Sequence, residues 1–204
     1  MPSRNIVRSD DSDSYYHVYS RGINRSYIFE DKEDKDYLLY LLSRHLSNKP
    51  FVSSKGYAYP HLGMRIELLT FCLMDNHFHF LMYQKDSGAI AQLMKSVLTS
   101  YTAYFNIKHS RSGPLFESRY KASKIDTDEY LLHISRYIHL NPRSWKYYPH
   151  SSLIYIRKGN EPEWLKTAKV LSQHSDRKAY IDFVADYEEH KEMLDELKHL
   201  LADK

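Results

Sequence analysis

The chain has 204 residues and a formal net charge of +3, from 29 Lys and Arg against 26 Asp and Glu, which permits a nucleic-acid partner without demanding one. Its one cysteine, Cys72, excludes an internal disulfide and a cysteine-based zinc site. No apolar run reaches membrane-spanning length and the polar first residues lack a signal-peptide pattern, so a soluble, cytoplasmic protein with no membrane partner is expected.

In chain order, residues 1–13 are polar and read as a disordered lead-in. Residues 15–20 (YYHVYS) are aromatic and β-branched and predict a strand. Residues 31–46 predict a helix, with acidic residues at its start, Arg44 and His45 in its last turn, and an apolar stripe of Tyr37, Leu38, Leu41 and Leu42. Residues 48–64 hold two Pro and two Gly without helical period and read as a long surface loop. Two strands follow at 65–74 and 77–83, joined by a polar turn at Asp75 and Asn76. A long helix is expected at 88–108, a short strand at 121–125, and a helix at 127–140 that opens with Thr-Asp-Glu and stops at Pro142. Beyond it, 151–157 could pack back on the core, and 162–174 and 175–204 read as two or three polar helices. The order β-α-β-β-α-β plus a helix predicts an α+β fold: a ferredoxin-like split β-α-β antiparallel sheet, with the first two helices on one face. The expected organisation is the lead-in 1–13, a catalytic domain at 14–148, and a mostly helical C-terminal extension at 149–204.

The stretch from Leu73 to Leu81 (LMDNHFHFL) concentrates the chemistry. Strand side chains alternate, so His77 and His79 share one face while Phe78 and Phe80 point to the other. Two imidazoles about 7 Å apart along a strand can reach one divalent ion. Alone, the pair reads more readily as two satisfied histidines on a half-exposed strand, and context has to decide. On the helix at 127–140, Tyr130, His133, Tyr137 and Asn141 recur every three or four residues and share a face. Helices usually bury Leu and Ile instead of such a polar column. Joined, the elements offer His77, His79 and the Asn141 carboxamide as three neutral ligands, which leave an ion's full charge available to a phosphodiester. Tyr137, one turn earlier, would present its phenol to the same phosphorus; with an ordinary pKa near 10 it needs activation.

The residues DNHFHFL at 75–81 and RYIHLNP at 136–142 closely resemble the HUH single-strand DNA endonucleases, specifically the single-tyrosine transposases, and most of all the REP-associated tyrosine transposases. The segments YHVYSRG at 16–22 and GPLFESRYK at 113–121 resemble the same subgroup, so the resemblance runs from about residue 15 to about residue 155. It implies a ferredoxin-like fold and Mg²⁺- or Mn²⁺-dependent cleavage of single-stranded DNA. It also implies a covalent 5′-phosphotyrosine intermediate, a free 3′-OH, and recognition of an imperfect hairpin of repetitive palindromic DNA beside the cut. By matching position, His77, His79 and Asn141 would be the metal ligands and Tyr137 the nucleophile. Relatives act as monomers or homodimers. The 48–64 loop is longer than usual for that group.

Attack by tyrosine stores the phosphodiester energy, so rejoining needs no nucleotide cofactor; the chain carries no Gly-rich phosphate loop and no acidic cluster of a two-metal nuclease. Arg21, Arg25, Arg119, Lys121 and Lys124, with aromatic neighbours among the 19 Tyr, are the candidate DNA contacts. Two rivals remain. A cupin-like metal hydrolase fits poorly, because helices interrupt the strands and no Asp-His pair follows His79. A catalytically silent hairpin-DNA-binding protein of the same fold is the stronger alternative.

Overall fold

The computed structural model of the protein describes residues 10–186. In chain order it contains β1 (Ser14–Arg21), α1 (Lys32–Leu46), β2 (Ile66–Met74), β3 (His77–Gln84), α2 (Ala89–Lys108), β4 (Lys121–Ile125), α3 (Asp128–Leu140), α4 (Leu153–Lys158), α5 (Ala168–Leu171) and α6 (Arg177–Ala185). The sheet order is β2-β3-β1-β4 and every neighbouring pair is antiparallel. The first seven elements agree with the sequence expectation to within a residue or two at each end.

Local chemistry accounts for the helix starts. Asp31 caps α1 in a capping box with Asp34, and Thr127 caps α3 by accepting from the Tyr130 N–H. The sheet divides two cores. Tyr16, Val18, Phe71, Phe78 and Phe80 bury against α1 and α2. Leu69, Cys72, Leu81 and Ile125 bury on the other side against Leu131, Ile134 and Ile138 of α3, with Ile156, Val170, Tyr180 and Val184. A register shift between Leu68 and Thr70 changes the phase of the alternation, so that Leu68 and Phe71 both face the first core and Leu69 and Cys72 the second.

Three features bear on the expected organisation. Residues on both sides of 149 share the second core, which α4 and α6 help to fill. Ser151 bridges to Cys72, and the Leu73 N–H donates to the His150 carbonyl, so this segment extends the β2 edge before α4 begins. In the lead-in, residues 10–13 are tied down: the Asp10 carboxylate accepts from the Gly88 N–H (2.7 Å) and Ser87 Oγ (3.0 Å). Residues 1–9, and the part of the expected terminal helix after 186, lie outside the described residues. In the 48–64 loop, Val52 pairs with Ala58 and Leu62 buries in the first core. The loop leads into the start of β2, at the opposite end of the hairpin from His77. Among the described residues no helix is long and apolar enough to cross a membrane.

Candidate active site

The site is built at the β2–β3 turn. A loop clamps that turn: the Asp75 carbonyl accepts from the Ile28 and Phe29 N–H groups, and the Asn76 carbonyl accepts from the Gly22 N–H. Gly22 is required there, since an added Cβ would stand 2.1 Å from the Ser26 carbonyl oxygen. Alternation along β3 then sends Phe78 and Phe80 into the first core, stacked at 4.4 Å, and His77 and His79 to the α3 side with ring centroids 5.0 Å apart.

His77 is held from two directions. Asn76 Nδ2 donates to the Arg25 carbonyl (3.2 Å), which turns Asn76 Oδ1 toward His77, where it accepts from Nδ1–H at 2.6 Å. A neutral His77 so oriented carries its lone pair on Nε2, and Nε2 faces Asn141 Oδ1 at 3.2 Å. Two acceptors at that separation repel unless a proton or a cation joins them. Two ligand atoms each about 2.1 Å from one Mg²⁺-sized ion, at right angles, stand about 3 Å apart. The donor set therefore fits a divalent cation. Among the described residues no three His, Cys, Asp or Glu side chains converge as a metal site.

His79 is fully buried, and its Nδ1 lies 2.8 Å from Nε2 of His17 on β1. Burial, with the charges of His17, His77 and Arg21 adding to it, holds the pKa of His79 well below the ordinary value. Burial alone pushes His17 down to about 3. Both rings are therefore neutral at pH 7, as a ligand histidine must be.

Tyr137 and Asn141 come from α3 and its C-terminal residue. Asn141 keeps helical dihedrals (φ −55°, ψ −47°), so its side chain stays on the face of Tyr137. The Tyr137 ring meets His79 edge-on at 5.4 Å and His17 at 6.1 Å, and it is 5% exposed. Of the expected polar column only these two residues reach the histidines. Tyr130 packs with the second core, and His133 turns to the Arg136 guanidinium (2.9 Å) and toward Phe183. The column fails because α3 is covered by α6 as well as by the sheet.

The five candidate cations separate. Arg21 pairs in register with His77, and Lys121 lies 5.6 Å from the Tyr19 ring centroid, both on the His face. Arg25 is exposed beside the clamped turn with a left-handed backbone (φ 59°), next to an exposed Tyr27. Lys124 stands opposite Tyr16, on the other face of the sheet, and pairs with Asp11 at 2.9 Å. Arg119 borders an apolar groove with Met94, Leu98 and Phe116 on the α2 side. The last two are therefore removed from the histidines. Sequence reasoning missed His17 and Asn76. Period-two alternation put His17 on a strand face, but only the β1–β3 pairing tells which residue it meets.

Residues 61–141 match the family described as "Transposase IS200 like". No curated protein matches the chain. Among solved structures, the REP-associated tyrosine transposase bound to a REP hairpin aligns over 78% of this chain and 89% of that chain, at 14% identity and a TM-score of 0.49.

Proposed function

We propose, from the premise that residues 61–141 belong to the IS200-like transposase family, that this chain is a metal-dependent single-tyrosine endonuclease and strand transferase for single-stranded DNA, of the REP-associated kind. The observation that carries the reading is the convergence of His77, His79, Tyr137 and Asn141 on one sheet face from elements some sixty residues apart. The strand order and the β-α-β-β-α-β sequence support a ferredoxin-like assignment, with α3 added as the catalytic helix. A cytoplasmic setting suits the single buried thiol.

His77, His79 and Asn141 would hold Mg²⁺ or Mn²⁺, which supplies charge stabilisation for the phosphodiester when bound. Tyr137 supplies the nucleophile. Its phenolic oxygen forms the bond to phosphorus, the P–O3′ bond breaks, and the phenolic proton is lost as the 3′ oxygen gains one. The 5′-phosphate is then joined to Tyr137, and a later attack by a 3′-OH reverses the exchange without a nucleotide cofactor. Neutral His79 adds no charge to offset the cation's. Arg21, Arg25 and Lys121 line the approach and would bind backbone phosphates, while Tyr19 and Tyr27 offer rings to unpaired bases of a hairpin-flanked strand.

The near-complete burial of Tyr137 is the one observation favouring a second reading, a catalytically silent hairpin-DNA-binding protein. One experiment decides between them: incubation with single-stranded palindromic repeats of the source genome and Mn²⁺, followed by denaturing electrophoresis. A covalent protein–DNA adduct mapped to Tyr137 is expected. Retention of the hairpin with no adduct at any tyrosine establishes the silent binder, and an adduct at Tyr130 displaces Tyr137 as nucleophile.

A further inference from the structure

We propose that His17 is a positioning residue for the metal site: its Nε2 accepts the Nδ1–H of His79 and so turns the lone pair of His79 Nε2 toward the cation. The inference rests on the reading of His77, His79 and Asn141 as ligands.

An imidazole ligand gives the lone pair of one ring nitrogen and must carry its proton on the other, so whatever accepts that proton decides which nitrogen can bind. In His79 the Nδ1 side is closed, because it faces His17 Nε2 at 2.8 Å. A cation would have to be met by Nε2, and Nε2 offers its lone pair only when Nδ1 carries the proton. His17 must then accept on Nε2 and keep its own proton on Nδ1. That atom is buried and has no hydrogen-bond partner among the described residues, so no other contact sets the tautomer of His17.

His17 is also held against movement. It is fully buried, with the Tyr19 ring nearly parallel to it at 5.0 Å between centroids and the His79 ring tilted only 14° from its plane, also at 5.0 Å. The Tyr137 ring stands edge-on to it. A residue needed only to fill this space would be met better by an apolar ring, since burying an imidazole with one nitrogen unsatisfied is costly. His77 has the equivalent partner in the Asn76 carboxamide. Each proposed ligand histidine thus has its own acceptor, one from the turn and one from a different strand.

The test compares His17→Phe, which keeps the ring and removes the acceptor, with His17→Gln, whose carbonyl can still accept. Mn²⁺ affinity is measured by calorimetry, and electron spin-echo modulation of bound Mn²⁺ counts the coordinated imidazoles. Expected are two imidazoles in the wild type and one in His17→Phe, with a 10- to 100-fold weaker affinity, about the usual loss for an outer-shell partner. His17→Gln is expected to restore the second imidazole and most of the affinity. Two imidazoles and wild-type affinity in His17→Phe overturn the proposal, as does His17→Gln behaving no better than His17→Phe. Should His17→Phe fail to fold, the wild type against His17→Gln decides: loss of one imidazole in a folded His17→Gln protein overturns it. A wild type with no coordinated imidazole, or an unchanged count in His79→Gln, brings down the metal-site reading itself, and this inference with it.

Discussion

His17 and His139 lie on the same side of the sheet, are both fully buried, and are both pushed by burial to a pKa of about 3. Their surroundings differ in one respect. Both nitrogens of His139 are engaged: Nε2 with Ser152 Oγ at 2.7 Å and Nδ1 with the Tyr180 hydroxyl at 2.8 Å. Ser152 Oγ in turn accepts from the Phe71 N–H at 2.8 Å. That chain of bonds runs from β2 through α3 to α6 and ends inside the protein. His17 has one nitrogen engaged, and its partner His79 stands beside Tyr137 and His77. Burial and a depressed pKa therefore do not by themselves mark a functional histidine. A histidine saturated inside the fold is a strut, whereas one whose bond ends at a cluster of reactive groups belongs to a site.

The comparison breaks most visibly at Tyr137. Tyr137→Phe is expected to reduce cleavage by about 10⁴-fold or more, since the attacking oxygen is gone, while Mn²⁺ affinity and hairpin binding stay within a few fold. Adduct formation and a gel shift on the same protein check this; adduct formation that persists in Tyr137→Phe would refute the assignment.

His77→Ala should lower cleavage more than about 100-fold and weaken Mn²⁺ binding, with little change in thermal unfolding because His77 is only half-buried. Excess EDTA should abolish the wild-type reaction. Full activity in EDTA would take the cation out of the chemistry and leave the His77–Asn141 contact a plain hydrogen bond.

His139→Leu is the converse. It takes one buried partner from each of the Ser152 and Tyr180 hydroxyls, which keep Phe71 and Ser135, and should cost about 1–3 kcal/mol of stability in denaturant unfolding. Cleavage per folded molecule should fall less than about threefold. A larger loss of activity than of stability would move His139 into the site. Its pH dependence follows from the same burial. The folded pKa, about 3, lies below the ordinary 6.5. Between those values the unfolded chain binds the proton that the folded protein refuses. Stability therefore falls as pH drops from 6.5 toward 3, by up to about 1.4 kcal/mol per pH unit for this group. His139→Leu should flatten that slope by one proton in unfolding curves recorded between pH 6 and pH 4.

The smallest effects separate the two faces of the sheet. Arg21→Ala and Lys121→Ala should each weaken single-stranded hairpin binding severalfold and reduce the log–log salt slope by about one unit. Lys124→Ala, whose side chain pairs with Asp11 on the far face, should change neither. Equal effects at all three positions would mean that DNA wraps both faces.

Most of the fold was legible because its signals are local. Alternation in HFHF, the Asp31 and Thr127 caps and the stop at Pro142 each act within a few residues, and they put the elements in place. The carbonyls and amides that close the turn over His77 were not legible, since Gly22, Ile28 and Phe29 reach it across more than forty residues. The polar column on α3 misled because helical period says which residues share a face and not how many neighbours cover it. Once α6 covers α3, His133 belongs to Phe183 and Arg136.

Taken alone, the sequence determined the secondary structure as far as α3, the shared face of His77 and His79, and the spacing of Tyr137 and Asn141. All of these follow from the 2.0 and 3.6 periods of a single chain segment. The helix expected at 162–174, by contrast, is only the short α5, Ala168–Leu171. Only the tertiary structure decided that His17 meets His79, that Lys124 and Arg119 sit away from the site, and that residues beyond 149 complete the second core. The physical reason is strand register: a shift of one residue between β1 and β3 would turn His17 to the other face of the sheet, and no property of either strand alone sets that register.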